Sequence, residues 1–167
     1  MSSYLVTGGT GALGQHMTRT LLGDLTTSRI VILSRSEEKQ RTMAVDMGTD
    51  SRLNFFIGDV RDYPRLVRAM NGCETVIHAA ALKQIDAVER DPAEAVKTNV
   101  TGTMNVCEAA LDVGCVKKVV VISTDKCCQP VTMYGHTKAV AERHAINANV
   151  YSGANGPKFT AVRYGNV

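Results

Sequence analysis

Four of the eight residues from Thr7 to Gly14 are glycine, and this run follows directly on the strand-like stretch Tyr4–Thr7. The next residues, Ala12–Leu22, have the spacing of an amphipathic helix. A strand that ends in glycines and restarts as a helix is a strand–turn–helix whose backbone can come close to a ligand. Gly8 allows the tight turn, Gly11 lets the backbone approach a pyrophosphate, and Gly14 lets helix and strand pack closely. The helix N-terminus adds N–H donors and the positive end of its dipole. Thr7, Ala12 and Leu13 complete the candidate phosphate loop. A glycine trio alone is often only a turn, and its position between strand and helix is what favours a dinucleotide.

The rest of the chain repeats this alternation. Strand-like runs are Tyr4–Thr7, Arg29–Leu33, Leu53–Ile57, Thr75–His78, Lys118–Ile122 and Phe159–Arg163. Helical stretches are Ala12–Leu22, Glu37–Met47, Tyr63–Met70, Pro92–Val113 and Tyr134–Tyr151. Asp91 before Pro92 and Asp62 before Pro64 read as helix starts, and Gly114 as a helix end. Strands alternating with helices predict an α/β fold: a doubly wound parallel sheet in three layers, one dinucleotide-binding (Rossmann) domain over residues 1–167. Right-handed crossovers put ligands at the carboxyl ends of the strands, where all the motifs below fall.

Composition narrows the partners. Nineteen basic against sixteen acidic residues leave a net charge of +3, spread along the chain, which argues against nucleic acid and membrane lipid. No apolar run approaches the roughly 20 residues needed to cross a bilayer, and no signal peptide is evident. Cys73, Cys107, Cys115, Cys127 and Cys128 are odd in number and lack CxxC spacing, so neither a disulfide framework nor a metal site is expected. A cytoplasmic protein with reduced thiols is the expectation.

An NAD-selective site usually places a carboxylate after the second strand. This chain has Ser34-Arg35-Ser36 there, with Lys39 following. Arg35 can stack on adenine and pair with a 2′-phosphate, to which Ser34 and Ser36 can donate. Ser36 can equally cap the helix beginning at Glu37. NADP is therefore the expected cofactor, and NAD the less favoured one. Ala79, Ala80 and Ala81 after the fourth strand are small enough for backbone to lie against it. His78 is expected to pack beside the loop rather than to ionise in catalysis.

Tyr134 and Lys138 lie four apart at a helix start and share one face. A nearby ammonium stabilises phenolate and lowers a tyrosine pKa, fitting it for proton exchange with a sugar hydroxyl. The fifth strand runs into Ser123-Thr124-Asp125-Lys126. Thr124 can hydrogen-bond a reacting oxygen. Asp125 and Lys126 add an acid and a base that simple hydride transfer does not need. A capping turn for Asp125 and a solvated charge for Lys126 are the plainer alternatives.

The Gly-x-x-Gly-x-x-Gly spacing resembles the short-chain dehydrogenase superfamily. TGGTGALG, SRSEEKQ, FFIGDVRD, HAAALKQ, STDK, YGHTK and VRYGNV together resemble its extended branch of UDP-N-acetylglucosamine 4,6-dehydratases of bacterial surface-glycan synthesis. The pairing of STDK with YGxTK is specific. Related dehydratases carry an acid–glutamate pair at Asp125-Lys126, and epimerases usually have neither. The resemblance implies that Asp59 and Val60 contact adenine, that Asn99 is the structural asparagine, and that Lys83 lies near substrate or cofactor.

The family chemistry then maps onto these positions. Tyr134, helped by Lys138 and Thr124, would take the proton of the sugar 4-hydroxyl as hydride leaves C4. Lys126 would abstract the acidified C5 hydrogen, Asp125 would protonate the departing 6-hydroxyl, and hydride would return to C6. Some members are membrane-anchored with methionine in place of Tyr134; this chain resembles the soluble subgroup, which often inverts C5.

Val167 closes the chain just after the sixth strand, whereas the resemblance implies a further C-terminal region supplying most of the UDP-sugar pocket. A substrate domain is thus expected to be missing, which could expose apolar surface and favour a homo-oligomer. Three functions stay open: the dehydratase or its catalytic half, a sugar-nucleotide 4-epimerase of the same fold, and a non-catalytic NADP-binding or assembly module.

Overall fold

Leu5 and Val6 are neighbours in sequence and both fully buried, yet they belong to different apolar clusters on opposite faces of one sheet. Burial on both faces is what a parallel sheet between two helical layers requires. The computed structural model, which describes residues 1–165, has that arrangement. Its elements are β1 (Ser2–Thr7), α1 (Ala12–Gly23), β2 (Thr27–Ser34), α2 (Glu37–Met47), β3 (Leu53–Ile57), α3 (Tyr63–Met70) and β4 (Thr75–His78). There follow α4 (Ile85–Arg90), α5 (Pro92–Ala95), a π-helical segment (Val96–Thr101), α6 (Gly102–Asp112), β5 (Lys118–Ile122), a 3₁₀ turn (Asp125–Cys127), α7 (Met133–Ser152) and β6 (Lys158–Val162).

The six strands lie in the order β3-β2-β1-β4-β5-β6, every neighbouring pair parallel. The expected doubly wound sheet is therefore present. The order reverses between β1 and β4, so the loops that leave these two strands part and open a crevice at their carboxyl ends.

The two faces are covered unequally. On one, Leu5, Val31, Val76, Val119 and Val121 pack against Leu66 of α3, Val106 and Ala110 of α6, and Ala145 and Ala148 of α7. On the other, Val6, Ile30, Ile32 and Ile77 meet only α1 and α2, through Leu21 and Met43. That second layer ends before β5 and β6, where Val120 is half-buried and Val162 is 45% exposed.

The helix expected over Pro92–Val113 is interrupted. Its path begins as α5, passes through the π segment and resumes as α6. Such a turn re-aims side chains that an unbroken α-helix would stack in register. Gly102 permits it to close on the loop after β3, since a β-carbon there would stand 2.6 Å from Val60 Cγ2. α4 was not expected. It is short, and Asp91 both ends it and caps α5 through Glu94 N–H at 3.5 Å. The caps expected at Asp62 and Ser36 form, accepting from Arg65 and Lys39 N–H at 3.0 and 3.2 Å. Residues 166 and 167, the end of the VRYGNV motif, lie outside the described residues.

Candidate active site

The phosphate loop is built by exclusion of side chains. Gly8 has φ +66°, and a β-carbon there would lie 2.7 Å from Ala80 N, so the loops after β1 and β4 touch through backbone alone. A β-carbon at Gly11 would meet only Gly8 O at 3.2 Å. A β-carbon at Gly14 would stand 2.5 Å from Gly9 Cα, so Gly14 packs on the loop rather than on a strand; a β-carbon at Gly9 would stand 2.7 Å from Ile32 Cγ2, so Gly9 seats the loop on the sheet. Gly11 caps α1 without a side chain, leaving the first-turn N–H groups for a ligand.

These groups open on a cavity of about 280 Å³. It gathers the expected cofactor residues from separate strand ends: Gly8, Gly11, Ala12, Leu13 and Gly14 after β1; Ser34, Arg35, Ser36 and Lys39 after β2. Asp59 and Val60 come from β3, Ala79, Ala80, Ala81 and Lys83 from β4, and Tyr134 and Lys138 from α7. Thr98 joins them unanticipated. It is 5% exposed, lines the cavity, and its hydroxyl has no hydrogen-bond partner among the described residues. An orphaned buried hydroxyl and a side-chain-free cradle at a helix N-terminus fit a dinucleotide.

Two expected cofactor residues lie beneath the cavity rather than on it. Thr7 Oγ1 bonds His78 Nδ1 at 2.7 Å and accepts from Ala80 N–H at 3.4 Å. Asn99, in the π segment, accepts from Leu82 N–H at 2.8 Å and donates to Leu82 O and Thr137 Oγ1 at 2.9 and 3.1 Å. Thr137 in turn donates to Tyr134 O at 2.9 Å. Both residues therefore position cavity-lining backbone and the start of α7. Burial pushes the His78 imidazole down to about 3, so it packs neutral as expected.

At the β2 end, Ser36 caps α2 yet keeps its own proton to donate. Ser34 Oγ accepts from Gln40 at 3.0 Å and keeps its proton too. Arg35 is 3.9 Å from Asp59 Oδ2, and that oxygen also accepts from Arg61 Nη2 at 2.8 Å. Burial alone would raise the Asp59 carboxyl, but hydrogen bonds from Arg61 outweigh it and hold it below its ordinary range.

A second cavity, about 490 Å³, adjoins the first. Thr124, Lys126, Tyr134 and Tyr164 line it together with Lys83, Gln84 and Asp86. Lys83, Tyr134 and Tyr164 border both cavities. Among the described residues Lys83 has no ion-pair partner. Asp125 lines neither cavity. Its Oδ1 accepts from Thr124 at 3.0 Å and pairs with Lys126 Nζ at 3.2 Å, which together hold the carboxyl below its ordinary value.

The tyrosine–lysine pair differs from expectation. Burial pushes the Tyr134 phenol up, against the Thr124 hydroxyl that favours its ionised form, so its pKa is raised and not lowered. Lys138 is 3% exposed and donates to Ile122 O at 2.6 Å, and burial lowers it to about 8. Behind it Glu142 is clasped by Arg163 Nε at 2.9 Å and accepts from Cys127 Sγ at 3.3 Å. Sequence reasoning missed this clasp, as it missed Asp86 and Gln84. HAAALKQ contains Gln84, and VRYGNV contains Arg163 and Tyr164, so these three carried a signal in the motifs. The five cysteines are free, and no helix among the described residues is long and apolar enough to cross a membrane.

Comparison with known proteins agrees with this geometry. A family model described as polysaccharide biosynthesis protein matches residues 4–167. An inverting UDP-N-acetylglucosamine 4,6-dehydratase of Campylobacter jejuni is 43% identical over 99% of this chain and 49% of its own length. A UDP-glucose 4-epimerase of Rickettsia canadensis is 42% identical over the same shares. Pen from Bacillus thuringiensis superposes with a TM-score of 0.95 at 37% identity, covering 99% of this chain and 51% of that one. DesIV, a dTDP-glucose 4,6-dehydratase from Streptomyces venezuelae solved with NAD bound, gives 0.85 at 28% identity, covering 96% and 55%. The chain thus spans about half the length of the relatives it matches.

Proposed function

Because this chain belongs to the polysaccharide biosynthesis protein family, with the Rossmann fold of sugar-nucleotide short-chain dehydrogenases, we propose that it is the NADP-binding, acid–base half of a UDP-N-acetylglucosamine 4,6-dehydratase. The observation that carries this reading is the second cavity, where Lys126 stands beside Tyr134 and Thr124 next to the dinucleotide groove. An epimerase needs the tyrosine and threonine. It has no use for a second base.

The groove would hold the pyrophosphate at Gly8, Gly11 and the α1 N-terminus, and a 2′-phosphate among Ser34, Arg35, Ser36 and Lys39. When bound, the nicotinamide would supply a hydride acceptor for C4 and, once reduced, a hydride donor for C6. Tyr134 takes the proton of the 4-hydroxyl as the phenolate, which the Thr124 hydroxyl and the Lys138 ammonium favour against the effect of burial. Lys126 then removes the C5 proton beside the new ketone. Asp125 and Lys126 stand as an ion pair, and one proton passing from ammonium to carboxylate turns the same pair into the base and acid that water elimination needs. Lys83, which borders both cavities and has no ion-pair partner among the described residues, would hold the sugar or its diphosphate.

One observation favours the 4-epimerase: Asp125, unlike Thr124 and Lys126, lines neither cavity and is held as a carboxylate. The test is to incubate the chain with NADP and UDP-N-acetylglucosamine and follow the sugar nucleotide by mass spectrometry. Loss of one water, abolished in Lys126→Ala, is the expected result. An isomer of unchanged mass supports the epimerase, and NADPH binding without turnover supports a cofactor or assembly module. Exposed Val150 and Tyr151 on α7 further support a homo-oligomer, which sedimentation tests. The free thiols fit a cytoplasmic setting.

A further inference from the structure

Five side chains of alternating charge lead from the π segment to the corner of the groove where Ser34 and Ser36 lie. Lys97 Nζ meets Glu94 Oε1 at 2.7 Å, and Glu94 Oε2 meets Arg61 Nη1 at 2.7 Å. Arg61 holds Asp59 through its backbone N–H at 2.9 Å and its Nε and Nη2 at 3.0 and 2.8 Å. Arg35, 57% exposed, reaches the same Asp59 Oδ2 at 3.9 Å. Arg35 and Asp59 border the cavity; Arg61 does not.

An unquenched carboxylate at this point would do two things to a 2′-phosphate. It would repel the dianion across a few ångströms, and it would draw the Arg35 guanidinium away from it. Arg61 takes up three of the carboxylate's contacts from outside the groove, leaving Arg35 only the long one.

We propose that Asp59 and Arg61 are specificity-determining residues that set the preference for a 2′-phosphorylated dinucleotide by competing over Arg35. This rests on the reading of the groove as an NADP site. Asp59 weakens the hold of Arg35 on the phosphate, and Arg61 restores it.

The test measures NADPH and NADH affinities of the intact chain by fluorescence titration, in wild type and in variants, and reads the ratio of the two. NADH binding reports folding and any contact with adenine, since both ligands share them. In Asp59→Asn the preference for NADPH should rise about three- to tenfold, the scale of a partly exposed charge pair. In Arg61→Gln it should fall by a similar factor. In an Arg35→Gln background the Asp59→Asn gain should shrink below about twofold, because the two residues act through one another.

An Asp59→Asn ratio within about twofold of wild type overturns the proposal. So does a loss in Arg61→Gln without the matching gain, which would make Arg61 itself a phosphate ligand, or a gain that survives without Arg35. A wild-type chain that binds NADH more tightly would defeat the NADP reading by itself, and the variant ratios would still judge the competition.

Discussion

Thr103 fixes the tautomer of His78. The Thr103 hydroxyl donates its single proton to Asn99 O at 2.6 Å, so at 3.0 Å from His78 Nε2 it can only accept. Nε2 therefore carries the hydrogen, and Nδ1 accepts from Thr7. Through Asn99 and Thr137 the same chain of bonds reaches Tyr134, joining the phosphate loop to the helix that bears the proposed base.

His78 should remain neutral with its proton on Nε2 down to about pH 3, which ¹⁵N shifts of the imidazole would show. Its folded pKa lies below the ordinary 6.5, so the unfolded chain binds the extra proton first. Stability is then fully present above about pH 6.5 and is lost as pH falls toward 3, by up to about 1.4 kcal/mol per unit. In His78→Phe this part of the acid dependence should vanish, measured by urea unfolding between pH 4 and 7.

Lys138 is lowered from 10.5 to about 8 by burial. Above that pH its ammonium is lost, and with it the positive charge beside the groove. NADPH affinity should therefore weaken through a single titration near pH 8, and Lys138→Met should bind weakly and without that step. The linkage to folding has the opposite trend. The unfolded chain binds more protons between 8 and 10.5, so this group's contribution to stability rises with pH across that window.

Glu142 is held at about 2, first by its hydrogen bonds from Arg163. Its contribution is present above the ordinary 4.5 and is lost as pH falls from there toward 2. Glu142→Ala leaves the Arg163 guanidinium without its carboxylate, while the Cys127 thiol keeps Thr124 O at 2.8 Å, and should destabilise by about 1–3 kcal/mol, a fall of several degrees in Tm. Glu142→Gln should recover part of it, as scanning calorimetry would show.

Two glycines of α1 should respond in opposite directions to alanine. At Gly14 the new methyl meets Gly9 backbone at 2.5 Å, which no side chain can relieve, and a loss of about 2 kcal/mol or more in stability is expected, with weaker NADPH binding. At Gly23 nothing lies within 4 Å, and Gly23→Ala should stabilise by up to about 1 kcal/mol. Chemical denaturation of both variants checks the pair.

Much of this architecture is legible in the sequence because short β-branched runs alternate with longer amphipathic stretches whose starts carry capping residues such as Ser36, Asp62 and Asp91. β3, β4 and β5 match the expected bounds residue for residue. The π segment was not legible. An α-helix and a helix with one widened turn have nearly the same apolar period, and only the placement of Asn99 against Leu82 tells them apart. The orphaned hydroxyl of Thr98 follows from that turn and was equally hidden. Asp125 and Lys126 adjoin in sequence, which does not tell that of the two only Lys126 lines the cavity. Nothing in the sequence pairs Arg35 with Asp59, which lie 24 residues apart. Their meeting depends on β2 and β3 being neighbours.

The uneven helical layer bears on the strength of the site's charges. β5 and β6, which lead into Thr124, Lys126 and Tyr164, have one face to which water comes within a single layer of side chains. Solvent so close raises the local dielectric and damps every Coulomb interaction at those strand ends. Any layer laid over Val120 and Val162, by another stretch of polypeptide or a second molecule, would strengthen the Asp125–Lys126 attraction and shift the energy of passing a proton between them. Shielding that face would thus tune the reactivity of the pair without touching either residue.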